Sequence, residues 1–389
     1  MKGTAFVIAS VALGAMVVVR ASHSEPNRPV PSLDEHISQA IEVDQPGARV
    51  YWRIDRLEVH KSATRRTYDA KPASHLIISA PDVTVFLDAS LILDGTAATE
   101  PAISAKAEAT GLRIVGNRSG AMPIIRGYAG AIYGPAADRV TVSRVSIDRC
   151  YGPGIVLGDD AIVDDVRVYR ASGNGVELGR LSSAERVVVH NARGRGISLG
   201  ERSHVGWSDV SGHASEGILV GAGGTVVESR SSNGKAGIVL GRGSLARSVV
   251  VVSNVDDGII ASYSCLVTSS VAEMNGGNGI VVDDGSIVES SVANDNGNAG
   301  VVSGKGCVLR GLTARTNVHA GFLVGAGSRL IDSTASNGFV GVRTLSSAVV
   351  LDGVTSHGNA YGISAPTPIE SGTTFSRNTQ GVYLPAGSE

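Results

Sequence analysis

The chain has 389 residues, of which 42% are apolar, 4% are aromatic and 50 are glycine. The high apolar fraction and a formal net charge of only −2 exclude an intrinsically disordered chain and a strongly basic nucleic-acid binder. Because the glycines follow no Gly-X-Y period, they exclude collagen and indicate a fold with many tight turns.

Residues 1–21 have the composition of an export segment. Lys2 precedes an apolar run over 5–19, and small Ala21 follows that run. This order predicts a signal peptide. The alternative is an uncleaved membrane anchor, since the run approaches the length of a bilayer span. Either interpretation predicts that the folded part is periplasmic or secreted.

Residues 22–75 are predicted to form an N-terminal cap. Ser32 begins a capping-box sequence, and the apolar residues after it fall on one helical face. We therefore predict a short capping helix over 33–42. The rest of the cap is expected to be irregular, with a strand over 50–54 and a solvated loop over 61–71.

From residue 154 to 382 the sequence repeats with a period of about 21 residues. Each repeat opens with a glycine and an apolar residue, and successive glycines are 19 to 21 residues apart. The second position of each repeat is apolar and the fourth is mostly Leu, Val or Ala, which is the period of a strand. Short strands separated by tight turns at this spacing predict a solenoid, in which like residues stack at about 4.8 Å per coil.

A solenoid of 21-residue coils resembles the pectin-lyase-like superfamily, which includes polysaccharide lyases, uronate epimerases and phage tailspikes. The resemblance covers about 76 to 384 and is strongest from 154 to 382. It implies an all-β, right-handed single-stranded parallel β-helix over 76–389, with regular coils from 154 to 384. It also implies a polysaccharide partner, processed by lyase or epimerase chemistry on uronate if the chain is an enzyme.

The catalytic motifs of that superfamily are missing from this sequence. It has no Asp-Pro-His of uronan epimerases and no Trp-x-Asp-His of pectate lyases. No catalytic role is therefore carried over by motif, and a non-enzymatic structural or adhesive rod is the alternative function.

Charged residues cluster in the turns before the repeat glycines of successive coils. The candidate catalytic residues are Arg195, His213, Glu216, Lys235 and Asp257. The candidate substrate-binding residues are Glu177, Arg193 and Trp207. Chemistry at C5 of a uronate needs a cation for the carboxylate, a base and an acid, roles for which Arg195, Lys235 and His213 are available. The alternative is a solvent-exposed ladder of salt bridges.

The third position of each coil is predicted to face outward. Six successive coils carry aliphatic residues there: Leu219, Val239, Ile260, Val281, Val302 and Leu323. We call this set the aliphatic stripe. An apolar stripe of this length indicates a contact surface, which a segment of the chain, a second copy in a homo-oligomer or a polysaccharide would cover.

Asparagines recur at the coil interval and are predicted to form one structural turn column, in which His357 substitutes once. Its members are Asn233, Asn254, Asn275, Asn296, Asn317, Asn337 and Asn378. Asparagine suits a turn column because it tolerates a left-handed backbone and bonds along a stack.

The cysteines and the acidic pairs are assigned structural roles. Cys150, Cys265 and Cys307 are predicted to be unpaired, since the last two share a position two coils apart, too far for a disulfide. No cofactor is predicted. Calcium binding is left as an alternative, with the pairs Asp159-Asp160 and Asp283-Asp284 as candidate ligands. A complete calcium site needs six or more oxygens. Tyr133 is expected in the core.

Overall fold

The computed structural model describes residues 18–20, 40–53, 56–61, 64–69, 74–95, 98–117, 120–346, 348–366 and 373–383. Within these ranges the chain is all-β and contains no helix. It winds as a right-handed parallel β-helix whose strands form three sheets, here called A, B and C. The predicted fold class is therefore confirmed.

Sheet A contains the strand that follows the repeat glycine of each coil. Its 17 strands pair in parallel. They are Val18–Arg20, Ala40–Val43, His75–Ile78, Ile103–Ala105, Ile132–Gly134, Ile155–Leu157, Val176–Leu178, Ile197–Leu199, Glu216–Val220, Ala236–Leu240, Ile259–Ala261, Ile280–Val282, Ala299–Ser303, Ala320–Val324, Val340–Thr344, Tyr361–Ser364 and Gln380–Tyr383. The register places Ile197, Ile218 and Ile238 side by side, as the repeat predicts.

Sheets B and C contain the second and third strands of each coil. The 16 strands of sheet B are Arg49–Trp52, Arg56–Lys61, Thr64–Asp69, Thr84–Leu87, Arg113–Gly116, Thr141–Ser143, Ile162–Asp164, Ser183–Glu185, His204–Gly206, Thr225–Val227, Leu245–Arg247, Leu266–Thr268, Ile287–Glu289, Val308–Arg310, Arg329–Ile331 and Val350–Asp352. The 14 strands of sheet C are Ile92–Asp94, Ile124–Arg126, Ser146–Asp148, Arg167–Tyr169, Val188–His190, Asp209–Ser211, Arg230–Ser232, Val250–Val252, Val271–Glu273, Val292–Asn294, Thr313–Arg315, Thr334–Ser336, Thr355–His357 and Thr374–Ser376.

The coil is triangular because the chain turns sharply where it passes from one sheet to the next. In one coil the three corners carry residues with left-handed backbone, Asp160 at φ 55°, Asp165 at φ 50° and Arg170 at φ 57°. A single left-handed residue reverses the chain direction locally. The residue after each of them is buried in the coil. We call the corners AB, BC and CA, after the sheets that they join.

The interior is filled by columns of like residues, apolar along the sheets and partly polar at the corners. At corner CA the side-chain amide of Asn254 donates to Asn275 at 3.0 Å, Asn275 donates to Asn296 at 3.1 Å, and Asn296 donates to Asn317 at 3.0 Å. These four side chains are buried. These bonds provide hydrogen-bond partners for polar groups that are buried away from water in the coil interior.

The predicted membership of this asparagine column is wrong at three positions. Asn233 and Asn337 have φ of 53° and 56°, so they occupy the left-handed position next to the buried column. The column continues through Asn359, whose amide donates to Asn378 at 3.2 Å, and not through His357. The two neighbouring columns both favour asparagine, one for its backbone and the other for its side-chain bonds.

The N-terminal end differs from the predicted cap. Ala40–Val43 is a strand of sheet A, so the last residues of the predicted helix over 33–42 are extended, and residues 33–39 lie outside the described part. Ala40 and Ile41 are extended because they pair with His75 and Leu76 and are buried against the core.

An antiparallel hairpin ends sheet B at this side. Arg49–Trp52 overlaps the strand predicted over 50–54, and it pairs in parallel with Thr84–Leu87 and antiparallel with Arg56–Lys61. Thr64–Asp69 then pairs antiparallel with Arg56–Lys61, so the loop predicted over 61–71 is wrong.

Of the predicted export segment 1–21, only Val18–Arg20 is described. Among the described residues, no helix has the length and apolar character that a bilayer span requires. The signal peptide and the anchor both stay predictions.

Candidate functional site

Most of the predicted catalytic residues lie along corner CA. Arg195 Nε donates to Glu216 Oε2 at 2.8 Å, and Ser215 Oγ donates to the same oxygen at 2.6 Å. Partial burial raises the pKa of Glu216, but the bonds from Ser215 and Arg195 outweigh it and lower the pKa to about 2. Glu216 is therefore ionised at neutral pH and is a weak base.

Neighbouring residues on this corner form bonds from turn to turn. The Asn174 side-chain amide donates to Glu177 at 2.9 Å, and its oxygen Oδ1 accepts the Arg195 backbone N–H at 2.9 Å. Two coils after Glu216, Asp257 Oδ1 accepts the backbone N–H of Asn278 at 2.6 Å and its side-chain amide at 3.0 Å. The bonds to Arg195 and Asn278 hold the backbones of adjacent coils together, and they are amide and backbone hydrogen bonds, not salt bridges.

Lys235 is exposed on the same corner. The structure thus brings Arg195, Glu216, Lys235 and Asp257 to one edge of the rod, and Arg193 lies on that edge too.

His213 lies inside the coil, with 3% of its surface exposed. Its Nδ1 is 3.0 Å from the Ser215 carbonyl oxygen and its Nε2 is 3.2 Å from Ser231 Oγ. Burial lowers the pKa of His213, while the Ser215 bond and the charge of Glu216 oppose that shift. Because an imidazole inside the coil does not reach a polymer outside it, we leave His213 out of the surface site.

Two aromatic residues also differ from expectation. Trp207 lies at corner BC, where it is 53% exposed and donates to Glu228 at 2.7 Å. It therefore lies at a different corner from Arg193. Tyr133, expected in the core, is 43% exposed on the outer face of sheet A, where it pairs with Val156.

A cleft that the sequence interpretation missed lies at corner CA, nearer the N-terminus. Its volume is about 700 Å³. Four arginines line it: Arg126, Arg149, Arg170 and Arg193. We call it the arginine cleft. Asp94, Tyr151 and Asn191 also contribute to its wall.

Arginines outnumber their acidic partners in the arginine cleft. Arg126 pairs with Asp94 at 2.7 Å, whereas Arg170 and Arg149 share Asp148, at 2.7 and 3.1 Å. Four guanidinium groups thus face two carboxylates, an excess of two positive charges. Arg193 is exposed, and no carboxylate within the described ranges pairs with it.

Aromatic groups flank this cleft. Tyr151 lines it and is 61% exposed. On the adjoining face of sheet C, the rings of Tyr169 and His190 lie 5.5 Å apart between centroids. The thiol of Cys150 forms part of the wall, but burial raises its pKa to about 12, so it is protonated and unreactive at neutral pH.

The cleft could have been found from sequence spacing. Arg149 and Arg170 are one repeat apart on the corner that Arg193 also occupies, with Tyr151 beside them. The charged turns follow one another regularly only from residue 193 onward, so the sequence pattern indicated only the last of these arginines.

No metal centre is evident in the part of the chain that the structure describes, where no three His, Cys, Asp or Glu side chains are placed to hold an ion. In the two predicted calcium pairs, Asp159 accepts the backbone N–H of Arg180 at 2.8 Å and Asp284 accepts that of Lys305 at 2.6 Å. Calcium binding stays an untested prediction.

The aliphatic stripe follows the outer face of sheet A. All six of its side chains are half-buried, and each pairs with its neighbour in the adjacent coil. The outward position predicted for them is therefore confirmed.

No protein-family model matches this chain, and no curated protein matches it in sequence. Solved structures do resemble it. The tailspike protein of E. coli bacteriophage HK620, solved with a pentasaccharide, aligns at 9% identity and a TM-score of 0.55, over 89% of this chain and 74% of its own.

Two epimerases also align. The A-module of the Azotobacter vinelandii mannuronan C-5 epimerase AlgE4 aligns at 18% identity and a TM-score of 0.47, over 78% of this chain and 89% of its own. The periplasmic alginate epimerase AlgG aligns at 12% identity and a TM-score of 0.38, over 80% of this chain and 77% of its own. The fold of this chain is a right-handed parallel β-helix, the fold that it shares with the HK620 tailspike.

Proposed function

We propose that this chain is an exported β-helix protein that binds an acidic polysaccharide in the arginine cleft. The observation that carries the proposal is the excess of guanidinium groups over carboxylates in one open cleft. Guanidinium pairs with carboxylate, sulfate or phosphate groups through two parallel hydrogen bonds, which makes arginine well suited to recognise an anionic sugar.

The shape of the cleft agrees with an extended polymer. Arg149 and Arg170 occupy the same corner position in successive coils, about 5 Å apart along the rod axis, and Arg193 lies in the next coil, two residues beyond that position. Tyr151 at the cleft presents an amphipathic ring, of the kind that packs on the apolar face of a sugar. The tailspike of the same fold was solved with a bound pentasaccharide, which agrees with a saccharide ligand.

A binding assay with matched variants tests this proposal. Alginate and polygalacturonate are the acidic probes, and dextran is the neutral control. The double substitution of Arg170→Ala and Arg193→Ala should weaken binding to the acidic probe by about tenfold for each guanidinium removed. Arg242→Ala, at another exposed position, should leave binding unchanged. Added salt should weaken binding too, since the charges are exposed.

Two results would contradict the proposal. One is equal binding of dextran and the acidic polymers, because the cleft would then not distinguish a charged polymer from a neutral one. The other is unchanged affinity in the double arginine variant with a normal melting temperature.

As a finer proposal, the same corner carries lyase or epimerase chemistry on uronate. Arg195 would neutralise the carboxylate and Lys235 would act as the base, since both lie on the exposed edge next to the arginine cleft. Elimination gives an unsaturated product that absorbs ultraviolet light, and C5 epimerisation in heavy water introduces deuterium at C5. Loss of either signal in Lys235→Ala would support catalysis, and no signal from the wild type on any acidic probe would leave binding alone.

The aliphatic stripe favours a second function, that of a structural rod that associates with copies of itself. Six partly exposed aliphatic side chains in succession form a surface that association would remove from water. Light scattering should then give a multimer that Ile260→Asp dissociates and Ile162→Asp, on the outer face of sheet B, does not. A wild-type monomer at high concentration would exclude this function.

A location outside the cytoplasm follows from the predicted export segment. We propose that the mature rod is periplasmic or secreted, where acidic polysaccharides occur. Mass spectrometry of the exported protein would show cleavage near residue 21, or retention of the segment as an anchor.

A further inference from the structure

A pocket of about 430 Å³ lies near the C-terminal end of the rod, between corner CA and the outer face of sheet A. One wall is formed by Val318 and Phe339, both more than half exposed, and the other by Leu323 and Arg343. We call it the Phe339 pocket. It lies outside the coil interior, since its floor belongs to a small apolar cluster separate from the main core.

Small residues in the floor explain why the pocket exists. The last position before the repeat glycine is Asn278, Ala299, Ala320, Val340 and Tyr361 in five successive coils. Two alanines between larger side chains leave a depression about two coils, or roughly 10 Å, long. Phe339 is fixed beside it, because its ring meets that of Tyr361 edge to face at 5.3 Å.

Polar groups converge on the rim of this depression. Asn298, His319 and Arg343 line the pocket and are exposed. Their side chains make no hydrogen bond or ion pair to any other residue in the described ranges, unlike Arg170 and Arg126 in the arginine cleft. Three exposed side chains that can donate hydrogen bonds therefore surround an apolar floor with an aromatic wall.

We infer that the Phe339 pocket is a second saccharide site, which takes one pyranose ring with its apolar face on Phe339 and its hydroxyl groups on Asn298, His319 and Arg343. Apolar floors with a few convergent polar groups are the usual form of small-ligand sites, and 430 Å³ is within their range. A sugar ring needs both surfaces, because its C–H groups form an apolar face and its hydroxyls point to the edge. The inference rests on the proposed function only in taking a saccharide as the ligand.

The position of the Phe339 pocket would let it bind the same polymer as the arginine cleft. Both sites lie along corner CA, and Phe339 is eight coils from Arg170, roughly 40 Å along the axis. One long polysaccharide aligned with the rod would occupy both. The second contact would then form at high effective concentration, so the polymer would bind more tightly than its fragments.

Saturation-transfer NMR and calorimetry with tetrasaccharides test the inference. The probes are cellotetraose and chitotetraose, which carry no acidic group for the arginine cleft and are too short to reach from one site to the other. At least one should bind the wild type, and Phe339→Ala should weaken that binding by about tenfold. Phe339→Trp should retain it, because the aromatic wall is kept. Since Phe339 is 56% exposed, both variants should melt at the wild-type temperature.

Separate variants distinguish this inference from the proposed function. The double substitution of Arg170→Ala and Arg193→Ala should leave tetrasaccharide binding at the Phe339 pocket unchanged while it weakens polymer binding. His319→Ala should weaken the tetrasaccharide and spare the arginine cleft. The inference is overturned if no tetrasaccharide binds, if Phe339→Ala binds as tightly as wild type, or if Phe339→Ala instead dissociates a dimer.

Discussion

The imidazole ring of His213 lies directly against the α-carbon of Gly234, one coil further along the interior column of corner CA. A β-carbon on residue 234 would overlap three atoms of that ring. Gly234 has no left-handed backbone, so no turn requires a glycine there. The glycine is required by the histidine, and the two residues form one packing unit.

Gly234→Ala should therefore destabilise the rod by about 1–3 kcal/mol, the usual cost of overpacking a rigid interior. The same substitution in a His213→Ala background should cost much less, because the column then continues the small residues Ala171 and Ala192. Urea unfolding of the two single variants and the double variant measures this coupling. Equal costs of Gly234→Ala in both backgrounds would show that the ring moves aside.

Stability should fall as the pH is lowered below 6.5, in part because of His213. Burial lowers its folded-state pKa below the usual histidine value of 6.5, so the unfolded chain takes up a proton first. Stability is then lost as the pH falls from 6.5 to the folded-state pKa. Thermal melting across that range should show a smaller loss for His213→Asn than for wild type.

Another histidine contributes in the same direction. The pKa of His75 is also lowered, mainly by burial, against the charge of Glu100. His213→Asn should therefore reduce the pH dependence and not abolish it. A variant with the full wild-type dependence would mean that His213 is solvated.

The buried asparagine column should contribute more to stability than the exposed asparagines beside it. Asn275→Ala removes the oxygen that accepts both the backbone N–H and the side-chain amide of Asn254, at 3.1 and 3.0 Å. Two buried donors without partners should cost about 2–4 kcal/mol in the free energy of unfolding. The matched control is Asn233→Gly, which keeps the left-handed backbone and should change stability by less than about 0.5 kcal/mol.

The three cysteines should resist alkylation in the folded protein. Cys150, Cys265 and Cys307 are free and buried, and burial raises the pKa of each thiol. Iodoacetamide should label them only after unfolding in urea, as mass spectrometry would show. Rapid labelling of Cys150 in the native protein would mean that the wall of the arginine cleft opens.

The solenoid could be predicted from sequence because every coil repeats the same buried positions. The stacking of Ile197 on Ile218 follows from spacing alone, since residues one period apart occupy equal places in adjacent coils. The N-terminal cap could not be predicted in this way. Its helix over 33–42 rested on local pattern, whereas Ala40 and Ile41 are extended because sheet A pairs with them.

The candidate site was harder to predict, because inward and outward positions at a corner are adjacent in the chain. His213 has the polarity of a surface residue, yet it occupies the column of Ala192 and Asn254. Alignment of that column, together with Gly234, would have indicated its burial. The arginine cleft combines residues from sheet C and from corner CA, so a search along a single column recovers only part of it.

The contacts of each asparagine in the buried column extend only to the coils beside it. Removal of residues 276–296, one whole period, would place Asn275 directly on Asn317 and renew the same bonds. The length of the rod can thus change by whole coils, in steps of about 5 Å, with the same contacts between neighbouring coils. Loss or gain of a coil between Arg193 and Phe339 would change the distance that a polymer must span between the arginine cleft and the Phe339 pocket. The separation of the two sites can therefore evolve without any change in the residues that bind the polymer.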